Sequence, residues 1–318
     1  MTRAHVKYLI LILSLILSAV LVVWVILPIT RERSTNVALG EEWLELLHTH
    51  PRFSAQQTAY PVDVIYYYAG SSDDSLTRLC DRYDLEPIAG PGSETERIIN
   101  LMAWVYNLAA HANEPAIPAA RNAFSFIRMA TVENKQINCY MKTVILNEVY
   151  LSMQFFSRHT HLLPHSYENR ESHFITSVYS QTLGKWIMMD PDFGVYVTDE
   201  NGIVLGIREI RQRMIDAEPL VVQHPGRSLF EKVRIDLTNY IEGADYPWFL
   251  SCFIFKMRCP KYSMFAQDSR PVREYYELIP DGYRDELLQE SRLTPRGKKI
   301  YTVNDENVFW LKPEKISQ

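Results

Sequence analysis

Three residues in order along the chain, Cys139, His173 and Asp190, carry the side chains that acyl chemistry through a thiol requires. A thiolate attacks a carbonyl, an imidazole exchanges the proton, and a carboxylate holds that imidazole in the useful tautomer. Any chain of 318 residues contains some Cys, His and Asp, so the local contexts carry the signal. Cys139 stands in Asn138-Cys139-Tyr140-Met141-Lys142, His173 opens a β-branched and aromatic run, and Asp190 begins Asp190-Pro191-Asp192-Phe193-Gly194.

These residues need elements to position them. From Cys139 onward, Val144, Ile145, Leu146, Val149, Leu151 and Met153 recur at near-helical spacing, which puts Cys139 at or just before a helix N-terminus. Unpaired N–H groups and the positive end of the helix dipole favour a thiolate there, and the same groups could hold an oxyanion. His173 to Tyr179 reads as a strand, and Lys185 to Met189 as a second strand ending at Asp190, with Gln181-Thr182-Leu183-Gly184 as the turn between them. Two adjacent antiparallel strands bring His173 and Asp190 to the same end of a sheet. A helix packed on that sheet can present Cys139 to the imidazole.

With Asn138-Cys139 at a helix start, Phe155-Phe156-Ser157-Arg158 after it, His173 opening a strand and Lys185-Trp186-Ile187 leading into Asp190-Pro191, residues 93 to 205 resemble the core of the transglutaminase-like superfamily, within the papain-like group of thiol enzymes. The resemblance implies an α+β fold in which the helix bearing Cys139 packs on an antiparallel sheet. It also implies Cys139 as nucleophile, His173 as general base and acid, and Asp190 as the orienting carboxylate, with no cofactor and no metal. Two positions depart from the family pattern. Ile175 and Ser177 stand where His-x-Trp-x-Glu is frequent, and Gln154 stands where a glycine is usual.

Other features compete for attention. His159, His161 and His165 form an H-x-H pair with a third histidine nearby, a pattern used for zinc, although no carboxylate or cysteine stands at ligand spacing. The plainer reading is a polar loop passing near the active site. Cys252 and Cys259 could pair if the domain lies in an oxidising compartment, leaving Cys139 free. Cys80 shares a helical face with Leu76, Leu79 and Tyr83 and reads as a buried apolar residue. Phe309 and Trp310 read as packing rather than a ligand platform.

Tyr8 to Ile29 contains no charged residue. A helix of that length spans about 33 Å, enough to cross a hydrocarbon core. No cleavage site follows it, so it reads as an uncleaved anchor. Arg3 and Lys7 before the span nearly balance Arg31 and Arg33 after it, and the N-terminal amine tips the expected orientation to a cytoplasmic N-terminus with the main domain periplasmic or extracellular. The net charge of −5, with mixed signs, gives no basic footprint for nucleic acid.

Four segments follow: 1–35 as membrane anchor, 36–92 as N-terminal extension, 93–240 as the transglutaminase-like core, and 241–318 as an extension packed on it. Within them, Glu41 to His48, Ser93 to His111 (opened by a Ser93/Glu96 capping box), Arg121 to Met129 and Ile207 to Ile215 read as helices. Val62 to Tyr68, Glu274 to Ile279 and Lys299 to Val303 read as strands, and Thr198 to Gly202 as a hairpin turn. The expected function is a membrane-anchored thiol enzyme acting on amide bonds of a peptide or protein substrate through a thioester, as hydrolase or acyltransferase. The alternative is a non-catalytic envelope binding module that keeps the fold.

Overall fold

The computed structural model describes residues 43–54, 63–69, 73–166, 172–225, 246–283, 291–295 and 297–314. The apolar stretch Tyr8 to Ile29 lies outside them. Among the described residues no helix is long and apolar enough to cross a membrane. The helices are α1 (43–49), α2 (Asp74–Tyr83), α3 (Leu85–Ala89), α4 (Glu94–Tyr106), α5 (Ala123–Thr131), α6 (Cys139–Ser152), α7 (Ile207–Ile215), α8 (Tyr246–Ser251) and α9 (Glu306–Phe309).

Helix α6 is the centre of the molecule. Asn138 caps it, its side chain accepting from the Met141 N–H at 3.1 Å, so Cys139 is the first helical residue. Every residue from Met141 to Leu151 is buried, the polar Lys142, Thr143, Asn147 and Glu148 included. Its buried polar groups have partners: Ser157 Oγ donates to Asn147 Oδ1 at 2.9 Å, and Glu148 accepts the N–H groups of Ala123 and Ala266 at 2.8 and 2.9 Å. Burial still pushes the Glu148 carboxyl up to about 8 against those two bonds.

Helices α2, α4 and α5 cover one side of α6, and the sheet covers the other. The main sheet comprises β2 (Ser157–Leu163), β3 (His173–Ser180), β4 (Lys185–Met189), β7 (Lys256–Pro260), β9 (Arg273–Leu278), β10 (Ser291–Leu293) and β11 (Lys298–Val303). Two short pairs lie beside it: β1 (Tyr67–Tyr68) with β8 (Tyr262–Ser263), and β5 (Tyr196–Thr198) with β6 (Val221–Gln223). The order in the main sheet is β10-β11-β9-β7-β2-β3-β4. Contrary to a purely antiparallel expectation, β9 and β11 run parallel.

Alternation along the strands divides the interior in two. Val178, Ile187 and Met189 face α6 and join a core with Met141, Ile145, Leu101 and Phe126. Ile175, Met188, Leu162, Met257 and Leu278 face away and pack with Phe249, Phe255 and Phe309. The extension after residue 245 therefore lengthens the sheet and fills its second face.

Several sequence expectations hold closely. Ser93 and Glu96 form the capping box, α7 spans Ile207–Ile215, and β9 and β11 lie within one residue of the expected strands. The helix from Arg121 begins two residues later, because Asn122 caps it through the Ser125 N–H. The helix after Ser93 ends at Tyr106, not near His111, freeing that histidine to turn inward. Of the Val62 to Tyr68 run, Val62 lies outside the described residues, and within 63–68 only Tyr67–Tyr68 is strand, the rings of Tyr66 and Tyr68 packing sideways on Phe309 and Phe156. Asp199 to Gly202 form a turn closed by a Thr198–Val204 bridge, but the ladder partner of β5 is β6. Cys252 and Cys259 form no disulfide with each other: Cys259 Sγ faces Thr160 across the sheet, and Cys252 Sγ turns back to the Trp248 carbonyl in the preceding helix. Cys80 is half-buried against Met153 rather than enclosed. Gln154 adopts φ +63° just beyond α6, a left-handed conformation that a glycine accepts without strain.

Candidate active site

Cys139, His173 and Asp190 meet at one end of β3 and β4. β3 begins at His173 and β4 ends one residue before Asp190, and the Thr176–Met189 pairing sets the two side chains side by side. His173 Nε2 lies 2.6 Å from Asp190 Oδ2, both fully buried. That contact leaves Nδ1 as the nitrogen for Cys139, whose thiol hydrogen-bonds to the imidazole. Burial alone would push His173 down. The adjacent Asp190 carboxylate and Cys139 outweigh it and hold the imidazole well above the ordinary histidine range.

Asp190 is anchored on both oxygens. Oδ1 accepts the N–H groups of Asp192 and Phe193 at 2.9 and 3.1 Å, and Oδ2 accepts the Tyr246 hydroxyl at 2.7 Å beside the imidazole. The tight turn Asp190-Pro191-Asp192-Phe193-Gly194 makes the backbone bonds possible. Gly194 has φ +66°, and the Tyr106 ring lies 2.7 Å from where a Cβ would sit, so both backbone and space call for glycine. The rings of Phe193 and Phe249 flank His173 edge-on at 5.5 and 5.1 Å, closing the imidazole from solvent on those sides.

A second carboxylate stands beside the first. Asp192 Oδ2 is 2.8 Å from His111 Nδ1, and Oδ1 is 3.4 Å from Lys142 Nζ. Burial would raise its pKa, but His111 and Lys142 hold it below the usual carboxylate range. His111 Nε2 is fixed by Asn113 Oδ1 at 2.9 Å, and Lys142 Nζ lies 5.2 Å from the centre of the Tyr106 ring. One ligand-type atom each from Cys139, His173 and Asp192 lies within 4.8 Å of the others.

Sequence reasoning missed Asp192, His111, Lys142 and Tyr246 as site residues. Asp192 was visible only as turn chemistry. Lys142 carried one signal, a charge three residues after the cysteine in a mostly apolar helix. The histidine series divides: His159 and His161 lie on the helix-covered face of β2, whereas His165 packs among His50, Phe255 and Tyr283. It assembles no three-histidine set among the described residues.

With this geometry in hand, one solved structure can be set beside the chain. It is described as a "putative cysteine protease". That protein, from Cytophaga hutchinsonii, is 13% identical, with a TM-score of 0.30, over 54% of this chain and 57% of that one. The chain thus spans little more than half the length of that structure, and a likeness at this score carries no argument about activity. No family model matches the chain, and no curated protein matches it.

Proposed function

We propose that this protein is a thiol-dependent acyl enzyme with a transglutaminase-like core. The observation that carries the reading is the buried His173–Asp190 pair, 2.6 Å long, beside a cysteine that opens a helix. Cys139 is the nucleophile, His173 the proton carrier and Asp190 the group that orients it. Tyr246 and two backbone N–H groups hold Asp190 in place.

The reaction follows from these roles. His173 takes the thiol proton, and Cys139 Sγ forms a bond to the carbonyl carbon of an amide. Because the Asn138 side chain occupies the Met141 N–H, the N–H groups of Cys139 and Tyr140 are the donors available to the oxyanion. The C–N bond then breaks, His173 returns the proton to the leaving amine, and a thioester remains. Water or a second amine attacks that thioester, and the thiol is regenerated. The first outcome is hydrolysis and the second acyl transfer. We favour hydrolysis of a peptide or peptide-like envelope substrate by a domain tethered outside the membrane through Tyr8 to Ile29.

The closeness of Cys139, His173 and Asp192 supports a second reading, a metal-dependent hydrolase, because these are metal-ligand types. The thiol reading is preferred because both oxygens of Asp192 already face His111 and Lys142, and a buried ammonium repels a divalent cation.

The test is iodoacetamide labelling of the full chain at pH 6, with peptide mapping to resolve Cys139 from Cys80. Cys139 is expected to react at least about tenfold faster than Cys80, with the excess lost in His173→Ala. Equal, slow labelling of both cysteines would sink the thiol-enzyme reading and leave the binding module. Undiminished turnover in a chelator, by a preparation free of bound zinc, removes the metal reading.

A further inference from the structure

A cavity of about 590 Å³ lies next to the thiol site, on the face of the sheet that α6 covers only in part. Its wall is formed by Asn138 and Tyr140, the residues on either side of Cys139, and by Phe174, which follows His173. Its floor belongs to the strands that lengthen the sheet. Cross-strand register puts Phe174 opposite His161, His161 opposite Arg258, and Arg273 opposite Lys298, all on one face. Arg121, from the segment before α5, closes the side.

The charge around this space is unequal. Arg121, Arg258, Arg273 and Lys298 line it, against one lining carboxylate, Asp268. Asp268 is already engaged, accepting the hydroxyls of Tyr140 and Tyr275 at 2.8 Å each. Glu277, opposite Arg258 in the β7–β9 register and on the same face, pairs with it at the cavity's margin and is shared with Arg292, which lies 2.8 Å away. Cations therefore outnumber carboxylates among the described residues. His161 Nε2 is buried without a hydrogen-bond partner, while the imidazole lies flat on Phe174 with ring centres 3.9 Å apart. Burial and then Arg258 drive Lys298 down to about 8, and the same two causes, in the same order, lower His161 well below its ordinary range. Both groups register an excess of positive potential that Asp268 offsets only in part.

We propose that this cavity binds an oxyanion group, a carboxylate or a phosphoryl, carried by the substrate whose acyl carbon reaches Cys139. An anion here would engage Lys298 and the guanidinium groups by charge-assisted hydrogen bonds and accept a hydrogen bond from His161 in its Nε2–H tautomer. Walls shared with Asn138 and Tyr140 put it a short distance from the reacting carbonyl, so the class of substrate is an acidic or phosphorylated peptide. The word substrate rests on the thiol-enzyme reading, whereas the binding does not.

The experiment separates the two. The full chain carrying Cys139→Ala, held in a neutral detergent, is titrated with three acetylated, amidated alanine peptides bearing glutamate, phosphoserine or glutamine at the centre. At least one charged peptide is expected to bind about tenfold or more tighter than the glutamine peptide. Lys298→Met should erase most of that preference, and so should Arg121→Gln, a change at the cavity's edge that spares the fold if Lys298→Met does not. A stronger glutamate peptide assigns the source to carboxylate, and a stronger phosphoserine peptide to phosphoryl. Equal binding of all three, binding of none, or a preference untouched by both variants overturns the proposal. Iodoacetamide labelling of Cys139 in the unsubstituted chain, run alongside, reports the thiol on its own, so either reading can fail without the other.

Discussion

The thiol site and the cavity across Phe174 are both built from buried ionisable side chains, yet they balance charge differently. At the thiol, each carboxylate is matched: Asp190 by His173, Tyr246 and two N–H groups, Asp192 by His111 and Lys142. In the cavity, three arginines and a lysine stand against one lining carboxylate, Asp268, which is already committed to two tyrosines, while Glu277 at the margin pairs with Arg258. A closed network fixes geometry, as a reacting centre requires. An open one stores potential that a ligand can discharge. The two lie on opposite faces of β3 at successive residues, His173 and Phe174, so one strand separates chemistry from recognition.

The sharpest way to break this division is at the nucleophile. Cys139→Ala should reduce cleavage of any amide substrate by on the order of 10³-fold or more in a peptide-turnover assay, while leaving the preference for a charged peptide intact. Loss of both together would mean that the two regions are one. Asp190→Asn should lower turnover by roughly 10²–10⁴-fold, since the amide no longer stabilises the imidazolium. Equal turnover would remove Asp190 from the machinery. Tyr246→Phe deletes one hydrogen bond to a charged group and should lower the rate about tenfold with unchanged peptide affinity, read as kcat against Kd.

A smaller effect concerns stability. The folded-state value of His173 is raised above the ordinary value of about 6.5, so its contribution is fully present below about pH 6.5 and is lost as pH rises through the raised value. The difference in urea midpoint between the unsubstituted chain and His173→Gln should therefore narrow between pH 6 and alkaline pH. A widening gap would contradict the pairing with Asp190. The smallest effect lies outside both regions: Gln154→Gly should stabilise the fold by about 1 kcal/mol by relieving the left-handed backbone, leaving labelling and peptide binding unchanged.

Legibility in the sequence followed distance along the chain. The capped helix at Cys139 and the hairpin joining His173 to Asp190 are local, so their residues are neighbours in pattern as well as in space. His111 and Tyr246 reach the site from segments far away, and nothing in their own surroundings marks them. The cavity was hidden for a related reason. Its cations are spread over β7, β9, β11 and the segment before α5, and only register and the parallel β9–β11 pairing bring them to one face. The departure at Gln154 was visible as a missing glycine, but its meaning needed the dihedral angle.

The strand order carries one consequence for how the molecule is made. β2, β3 and β4 are contiguous in the chain, but β7 joins the free edge of β2 only after a long excursion, and β11 lies beyond it. At about 5–20 residues per second, the residues from Met189 to Pro260 take roughly 4–14 s to be synthesised. Through that interval β2 is an unpaired edge. Asp190 also waits for the Tyr246 hydroxyl, and the cationic floor does not yet exist. A nascent chain therefore holds Cys139 in an unfinished setting until Tyr246 and the strands from β7 to β11 have been translated.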